Sequence, residues 1–339
     1  MTTTVHITCL CGKNAETLQL DAHLPVSVSP CSCDECRRST GMLYFSGLPI
    51  PSRPGVVDAL TEYKSSEKLS RYFCQTCGSH MVLHVVKDDA WSVCSGVVER
   101  VVGLEQVSRL SLEKIVQHEF VGDTRDGGLA ACLANFHGRS VPLFDQGPGG
   151  GELERPLVAH FDWPDSGNSS EAAITASPTY PPLSNQTNEI DAACHCGGVK
   201  FRITRPNALS SQCSSPFPDL SCRLGAGSPI QCWAFVPKAN IVQANKEPLS
   251  YEMGTLKQIE SSKDCFREFC RVCGATVFWH CRERPDLVDV SVGLLRAGEG
   301  SRAESLLEWW TERVSFREDA LDKGLIEALE KGLRDIGRK

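Results

Sequence analysis

Long apolar runs are missing from this chain, and no stretch approaches the ~20 residues needed to cross a bilayer as a helix. Residues Met1 to Thr8 carry neither a basic n-region nor an apolar h-region, so a secretory leader is not expected. An excess of positive charge is missing too. The net charge of −7 leaves no general basic field, so neither membrane nor nucleic acid is expected as a partner. No Gly-x-Gly-x-x-Gly follows a strand-like run, there is no P-loop, and no Ser-His-Asp order can be argued. Nucleotide binding and serine-type acyl transfer therefore have no motif here.

Cysteine is the opposite case, at 18 residues. With no leader and no span, the expected compartment is the cytoplasm, with the nucleus as the alternative. Thiols there are kept reduced, so a disulfide framework is not expected and the spacing must reflect metal or redox chemistry. The 339 residues allow two domains of ordinary size, each small enough to gain from a metal staple.

The sequence repeats itself. Cys9-Leu10-Cys11-Gly12 recurs as Cys194-His195-Cys196-Gly197. Phe73-Cys74, Cys77-Gly78 and His84 recur as Phe269-Cys270, Cys273-Gly274 and His280, and Arg71 recurs as Arg267. We read a tandem duplication: an N-terminal domain over 1–144, a linker rich in Pro, Gly and Ser over 145–189, and a C-terminal domain over 190–339. Short runs such as Met81–Val86, Trp91–Cys94, Thr276–Trp279 and Leu287–Val292 predict strands, so the fold class is mainly β. Leu321, Leu325, Ile326, Leu329, Leu333 and Ile336 predict one amphipathic C-terminal helix, expected to dock on the second domain. Trp309, Trp310 and Phe316 read most simply as core aromatics.

A Cys-x-x-Cys-Gly turn presents two thiolates, and the glycine lets the backbone fold back beneath them. Pairing each such turn with the Cys-x-Cys-Gly hairpin of its own copy gives two four-thiolate zinc sites. These are Cys9, Cys11, Cys74 and Cys77, and Cys194, Cys196, Cys270 and Cys273. Four protein ligands leave no open position, so both sites read as structural. Thioredoxin-like pairs or isolated buried cysteines are the alternatives, but the residues after each pair are β-branched and aromatic rather than helix-forming.

Cys31, Cys33 and Cys36 form a third cluster with Arg37 beside it. Three thiolates grip one face of a zinc ion and leave a fourth position for water, a thiol or a substrate oxygen. Arg37 could then pair with an anionic substrate group. The alternative is a closed site, completed by a ligand such as His80 or His84. His84 also recurs at His280, where no good third cluster exists, and so reads better as a strand or supporting histidine.

This ordered set of motifs resembles the family of glutathione-dependent formaldehyde-activating enzymes, which also includes centromere protein V. The resemblance covers both copies, and Gln117–Gly128 is similar to tandem fungal members. It implies a zinc-bearing β-tent of antiparallel sheets in each copy, structural zinc at the outer pairs, and a labile zinc at the middle motif, here Cys31, Cys33 and Cys36. The activity it implies is a carbon–sulfur lyase resembling S-(hydroxymethyl)glutathione synthase. Two departures stand out. Ser32 replaces the usual histidine of the middle motif, and in the second copy only Cys222-Arg223 of that motif is recognisable. Cys213 and Cys222, with Cys232 as a weaker candidate, could make at most a poor second labile site.

The expected function is therefore a zinc-dependent lyase acting on a thiol adduct of an aldehyde or electrophilic metabolite. Glutathione is a candidate thiol, and Cys31, Cys33, Cys36 and Arg37 are the site residues. The second domain would supply stability, a homo-oligomer contact or one wall of the cleft. A non-catalytic zinc-stabilised protein-binding module is the alternative, and a thiol redox or zinc-buffering loop is a third.

Overall fold

The computed structural model describes residues 3–104, 110–153, 189–205, 212–217 and 220–337, with 212–217 and 336–337 described by their backbone alone. The chain is mainly β, built from small, chiefly antiparallel sheets with a C-terminal helix. In the first half, Gly47–Ile50, Ala90–Cys94, His80–Val85, Leu69–Phe73 and Thr61–Ser66 line up in that order as one antiparallel sheet. In the second, Gln231–Pro237, Leu287–Ser291, Thr276–Cys281, Cys265–Cys270 and Leu256–Ser262 repeat the order. The strands follow from period-two patterning. Trp91 and Val93 point inward from Ala90–Cys94 while Ser92 stays half-buried between them.

Smaller sheets repeat as well. Thr3–Thr8 pairs with Ala15–Leu20 in one half, and Glu189–Ala193 with Lys200–Thr204 in the other. Val26–Val28 runs parallel to Glu113–Ile115, as Gln212–Phe217 runs parallel to Leu307–Trp309. Each half places one short helix after the first-named strand of that parallel pair: α1, Asp34–Thr40, and α2, Leu220–Ala226.

The halves pack against each other about a pseudo-twofold. Gly96 N donates to Gly227 O at 3.3 Å, and its counterpart Gly293 N donates to Gly41 O at 3.1 Å. A Cβ on Gly78 would sit 2.5 Å from the Phe269 ring, and one on Gly274 would sit 2.7 Å from the Phe73 ring. Both glycines also have positive φ, 79° and 78°, so a bare backbone is needed twice over. Self-complementary pairing of this kind is the geometry of a twofold dimer, here made within one chain.

Helix α3, Lys323–Gly337, buries Leu325, Ile326, Leu329 and Leu333. The sequence led us to expect docking on the second half, where Glu330 meets Val314 N at 3.2 Å and Arg317 at 2.8 Å, but most of the helix packs elsewhere. It lies on the first half, against the turn Ala130–Leu133 and the strand Asn135–Phe136. A Cβ on Gly332 would overlap the Cys132 carbonyl oxygen. Asp322 fixes the start of the helix, accepting from Leu325 N at 2.9 Å and from Leu112 N and Glu113 N at 2.8 Å each. The apolar stripe signalled burial, but a stripe does not encode its partner. The core-aromatic reading is likewise corrected for Trp310 and Phe316, which are 44% and 50% exposed. Trp309 packs partly buried, and strand alternation turns its neighbour outward. Of the linker stretch, Asp145–Gly151 forms a hydrogen-bonded loop and Leu153 N bonds Leu143 O, while 154–188 lie outside the described residues.

Candidate metal sites and the adjoining cavity

The first four-cysteine set is assembled by two hairpins. Gly12 N bonds Cys9 O at 2.9 Å and Gly78 N bonds Cys74 O at 2.8 Å, closing turns that present the sulfurs to one point. The Sγ atoms of Cys9, Cys11, Cys74 and Cys77 lie within 4.8 Å of one another. Cys9 to Cys11 is 3.5 Å and Cys11 to Cys74 is 3.7 Å. Sulfurs at zinc's ~2.3 Å radius stand about 3.8 Å apart in a tetrahedron, so the set fits such an ion. Asn14 donates through N to Cys9 Sγ at 3.4 Å and through Nδ2 to Cys74 Sγ at 3.1 Å, which suits anionic sulfur. Hydrogen bonds from Cys77 and Cys9 push the Cys74 thiol far below its usual range.

The second set repeats this. Cys194, Cys196, Cys270 and Cys273 cluster within the same limit, and Val199 N and Gly198 N donate to Cys194 and Cys196 at 3.3 and 3.4 Å. Cys194, Cys270 and Cys273 are fully or almost fully buried.

The three-cysteine set sits where the chain enters α1. Cys31 bridges Phe45, with their backbones exchanging hydrogen bonds at 2.9 Å. Cys33 is the N-cap of α1, its sulfur accepting from Cys36 N at 3.3 Å. Cys36 Sγ is 3.4 Å from Cys31 Sγ, and all three sulfurs fall within 4.8 Å. Three thiolates with no fourth protein ligand among the described residues fit a zinc ion that keeps an exchangeable position.

One partner of this cluster was not legible from spacing. Arg71, 1% exposed, donates from Nη2 to Cys36 Sγ at 3.2 Å and from Nε to Ser65 Oγ at 3.1 Å. An arginine stays charged, so its burial demands an anion, and Cys36 as thiolate supplies it with Glu35 3.9 Å away. The Cys36 thiol is accordingly held well below its ordinary range, by hydrogen bonds from Cys31 and Cys33 and then by Arg71. The signal was present, since Arg71 recurs as Arg267, but it served only to mark the repeat.

Arg37 is 3% exposed, and its Nε and Nη2 are engaged. Nε bonds Ser32 O at 3.0 Å, and Nη2 bonds Asp34 and, at 3.1 Å, Asp123 O. Neither histidine weighed as a fourth ligand joins the metal-ready clusters. His80 is buried between the halves, which pushes its ring down to about 3. His84 stacks on Trp91 at 4.0 Å and bonds Asp89 at 2.8 Å.

Beside α1 lies a cavity of about 440 Å³ shared by both halves. Arg37, Arg38 and Arg125 line it from the first half and Arg296 from the second, with Asp34 and Asp123 as the acidic groups. Arg38 pairs with Asp34 at 2.7 Å, while its buried Nε has no hydrogen-bond partner among the described residues. The second half also meets α1 through His195. Its amide donates to Arg38 O at 3.0 Å, and its Nδ1 is 2.6 Å from Tyr63 Oη.

Among the described residues the second half lacks this arrangement. Cys222 holds the place of Cys36, because Arg267 Nη2 donates to its sulfur at 3.3 Å. Phe217 pairs with Gln231 as Cys31 pairs with Phe45, so Phe217 stands at the Cys31 position. By the same count the Cys33 position falls to Asp219, outside the described residues. Cys213 lies opposite Glu308 on the parallel strand, four residues before Phe217, and its side chain is outside the described residues. Cys232, Cys94 and Cys132 are buried in the core.

A family model described as glutathione-dependent formaldehyde-activating enzyme matches residues 4–111 and 189–313, well over half the chain and both copies. The search of curated proteins returned no match. Among solved structures, a Rhodobacter sphaeroides protein aligns at 21% identity over 35% of this chain and 99% of its own, with a TM-score of 0.25.

Proposed function

The chain belongs to the glutathione-dependent formaldehyde-activating enzyme family, and from that premise we propose that it is a zinc-dependent carbon–sulfur lyase working at Cys31, Cys33 and Cys36. Its substrate in this reading is a thiol adduct of an aldehyde or electrophilic metabolite, with glutathione the first thiol to test. The observation that carries the reading is the three-sulfur cluster, which no fourth Cys, His, Asp or Glu completes among the described residues, beside a helix whose Asp34, Arg37 and Arg38 line a 440 Å³ cavity.

We assign structural zinc to Cys9, Cys11, Cys74 and Cys77 and to Cys194, Cys196, Cys270 and Cys273, and exchangeable zinc to Cys31, Cys33 and Cys36. Bound there, zinc would supply the positive charge that lowers a thiol pKa or polarises a carbonyl. The protein's own groups do the rest. Arg71 keeps Cys36 anionic, and the Cys36 amide braces Cys33. Arg37 ties α1 to the Ser32 and Asp123 carbonyls through Nε and Nη2, which fixes the cysteine loop, and it lines the cavity where an anionic substrate group would pair with it. In the synthetic direction the thiol sulfur bonds the carbonyl carbon. The C=O π pair becomes an O–H bond, and the thiol proton balances the step. In the lyase direction the same C–S bond breaks, the hydroxyl proton passes to the thiolate, and the carbonyl is restored.

We take 1–144 and 190–339 as the duplicated domains and 145–189 as the linker between them. A reducing compartment such as the cytoplasm suits the free thiols of all described cysteines.

The test is zinc content together with turnover of glutathione and formaldehyde to S-(hydroxymethyl)glutathione, followed by NMR. About three zincs per chain are expected, with Cys31→Ser losing one zinc and the turnover while its circular dichroism stays β. Two zincs in the wild type and no effect of Cys31→Ser would sink the reading and favour a binding module.

A further inference from the structure

The cavity beside α1 follows the intact cysteine set, and the charged residues that line it are not repeated at the described pseudo-symmetric positions. Arg38 corresponds to Leu224 along the paired helices, and Asp34 to Leu220. Arg296 follows the turn Val292–Leu294 as Glu99 follows Ser95–Val97. At the second position Arg223 Nη1 donates to Gly96 O and Val98 O at 3.1 and 3.0 Å. That guanidinium is therefore committed to the backbone of the other half.

At the first position the charge is left over. Four arginines face two aspartates across the cavity. Arg37 and Arg38 share Asp34, and Arg125 Nη1 donates to Gly298 O at 2.6 Å. The Arg296 guanidinium has no ion-pair partner among the described residues, although its own amide is anchored to Asp191 O at 2.9 Å. Arg296 and Arg125 are exposed at the mouth, Arg38 is half-buried, and two positive charges in excess in a concave site suit an anionic ligand. The guanidinium fork binds carboxylate and phosphate alike, and one guanidinium on each wall suits a ligand that carries two anionic groups.

We infer that this cavity is a composite recognition site for a small dicarboxylate portion of the ligand, with Arg296 of the C-terminal half supplying the carboxylate-binding cation and Arg38 the second. The half that lost its three-cysteine set thus acts as the recognition wall for the half that kept it. The class of substrate so named rests on the proposed lyase reading; the anion site itself does not.

The experiment is calorimetric titration of the full chain at low salt with succinate, its monoanionic analogue succinamate, and inorganic phosphate. Succinate is expected to bind at one site per chain, and more tightly than succinamate or phosphate. Arg296→Ala should weaken succinate roughly tenfold or more, with Arg296→Lys recovering part of the loss. Arg100→Ala, on the exposed Glu99–Arg100 pair, serves as the control and should change nothing. Cys31→Ser should still bind succinate. Turnover failing while Arg296-dependent succinate binding persists would remove the lyase reading and leave this one standing. Unchanged succinate affinity in Arg296→Ala, or phosphate binding as tightly as succinate, would overturn it.

Discussion

The two halves share a backbone plan and differ at the positions where chemistry is possible. Around α1 stand Cys31, Cys33, Cys36, Glu35, Tyr63 and His195. Around α2 the matching positions carry Phe217, Asp219, Cys222, Ser221, Ile259 and Leu10. The polar contact between Tyr63 Oη and His195 Nδ1, 2.6 Å, thus has an apolar counterpart, and Leu10 approaches Gly225 on α2. What both halves retain is the scaffold: the four-cysteine hairpins, the interface glycines, and a buried arginine on a helix cysteine. In the proposed reading, duplication lets one copy keep the reactive loop while the other keeps the scaffold. The hairpin carrying His195 reaches across to α1, so the second copy packs on the helix that carries Cys36.

The largest effect should come from breaking what the halves share. Cys74→Ser and Cys270→Ser each remove one thiolate from a four-sulfur site whose metal would contribute on the order of 10 kcal/mol to folding. Each is expected to cost one zinc and most of the cooperative transition in urea, and to unfold both halves together, since the interface is continuous. Two separate transitions would show that the halves fold independently.

Next comes the contrast between cysteines in corresponding places. Cys31→Ser should abolish turnover with the β signal intact, whereas Cys222→Ser should leave turnover within about twofold and lower only the urea midpoint, by weakening the sulfur acceptor beside Arg267. Equal losses of turnover would mean that α2 also carries a working site.

A smaller effect is expected from making the first site resemble the second. Tyr63→Ile with His195→Leu should retain three zincs and lose roughly 10- to 100-fold in kcat/KM, the range for groups that support a metal site. Full activity in the double variant would reduce the pair to packing.

The smallest concerns Glu113, whose counterpart across the parallel strand pairing is Leu307. Burial pushes Glu113 up from 4.5 to about 7, against a hydrogen bond from Ser46 Oγ at 2.6 Å. The folded state therefore prefers the protonated acid. Its contribution is full below about pH 4.5, falls as pH rises towards 7, and is constant above. Glu113→Gln should flatten that part of the urea-midpoint profile relative to wild type. Parallel profiles for the two proteins would remove Glu113 as the cause.

Much of the scaffold was legible because its signals are local. Cys-x-Cys-Gly and Cys-x-x-Cys-Gly each close one turn, strands show period two within five residues, and a repeat can be read by counting. The hairpin partners of Cys9 and Cys74, sixty-odd residues apart, were found only because both ends recur together. The C-terminal helix was legible as a helix, and its docking was misassigned, because four buried leucine and isoleucine side chains match any apolar surface of the right shape. Only tertiary structure decided that α3 covers the first half, that Arg71 reaches Cys36, and that Arg296 and His195 cross to α1. Each of these depends on the packing of surfaces distant in sequence, and the last on the pseudo-twofold contact between the halves, a relation that no local pattern records.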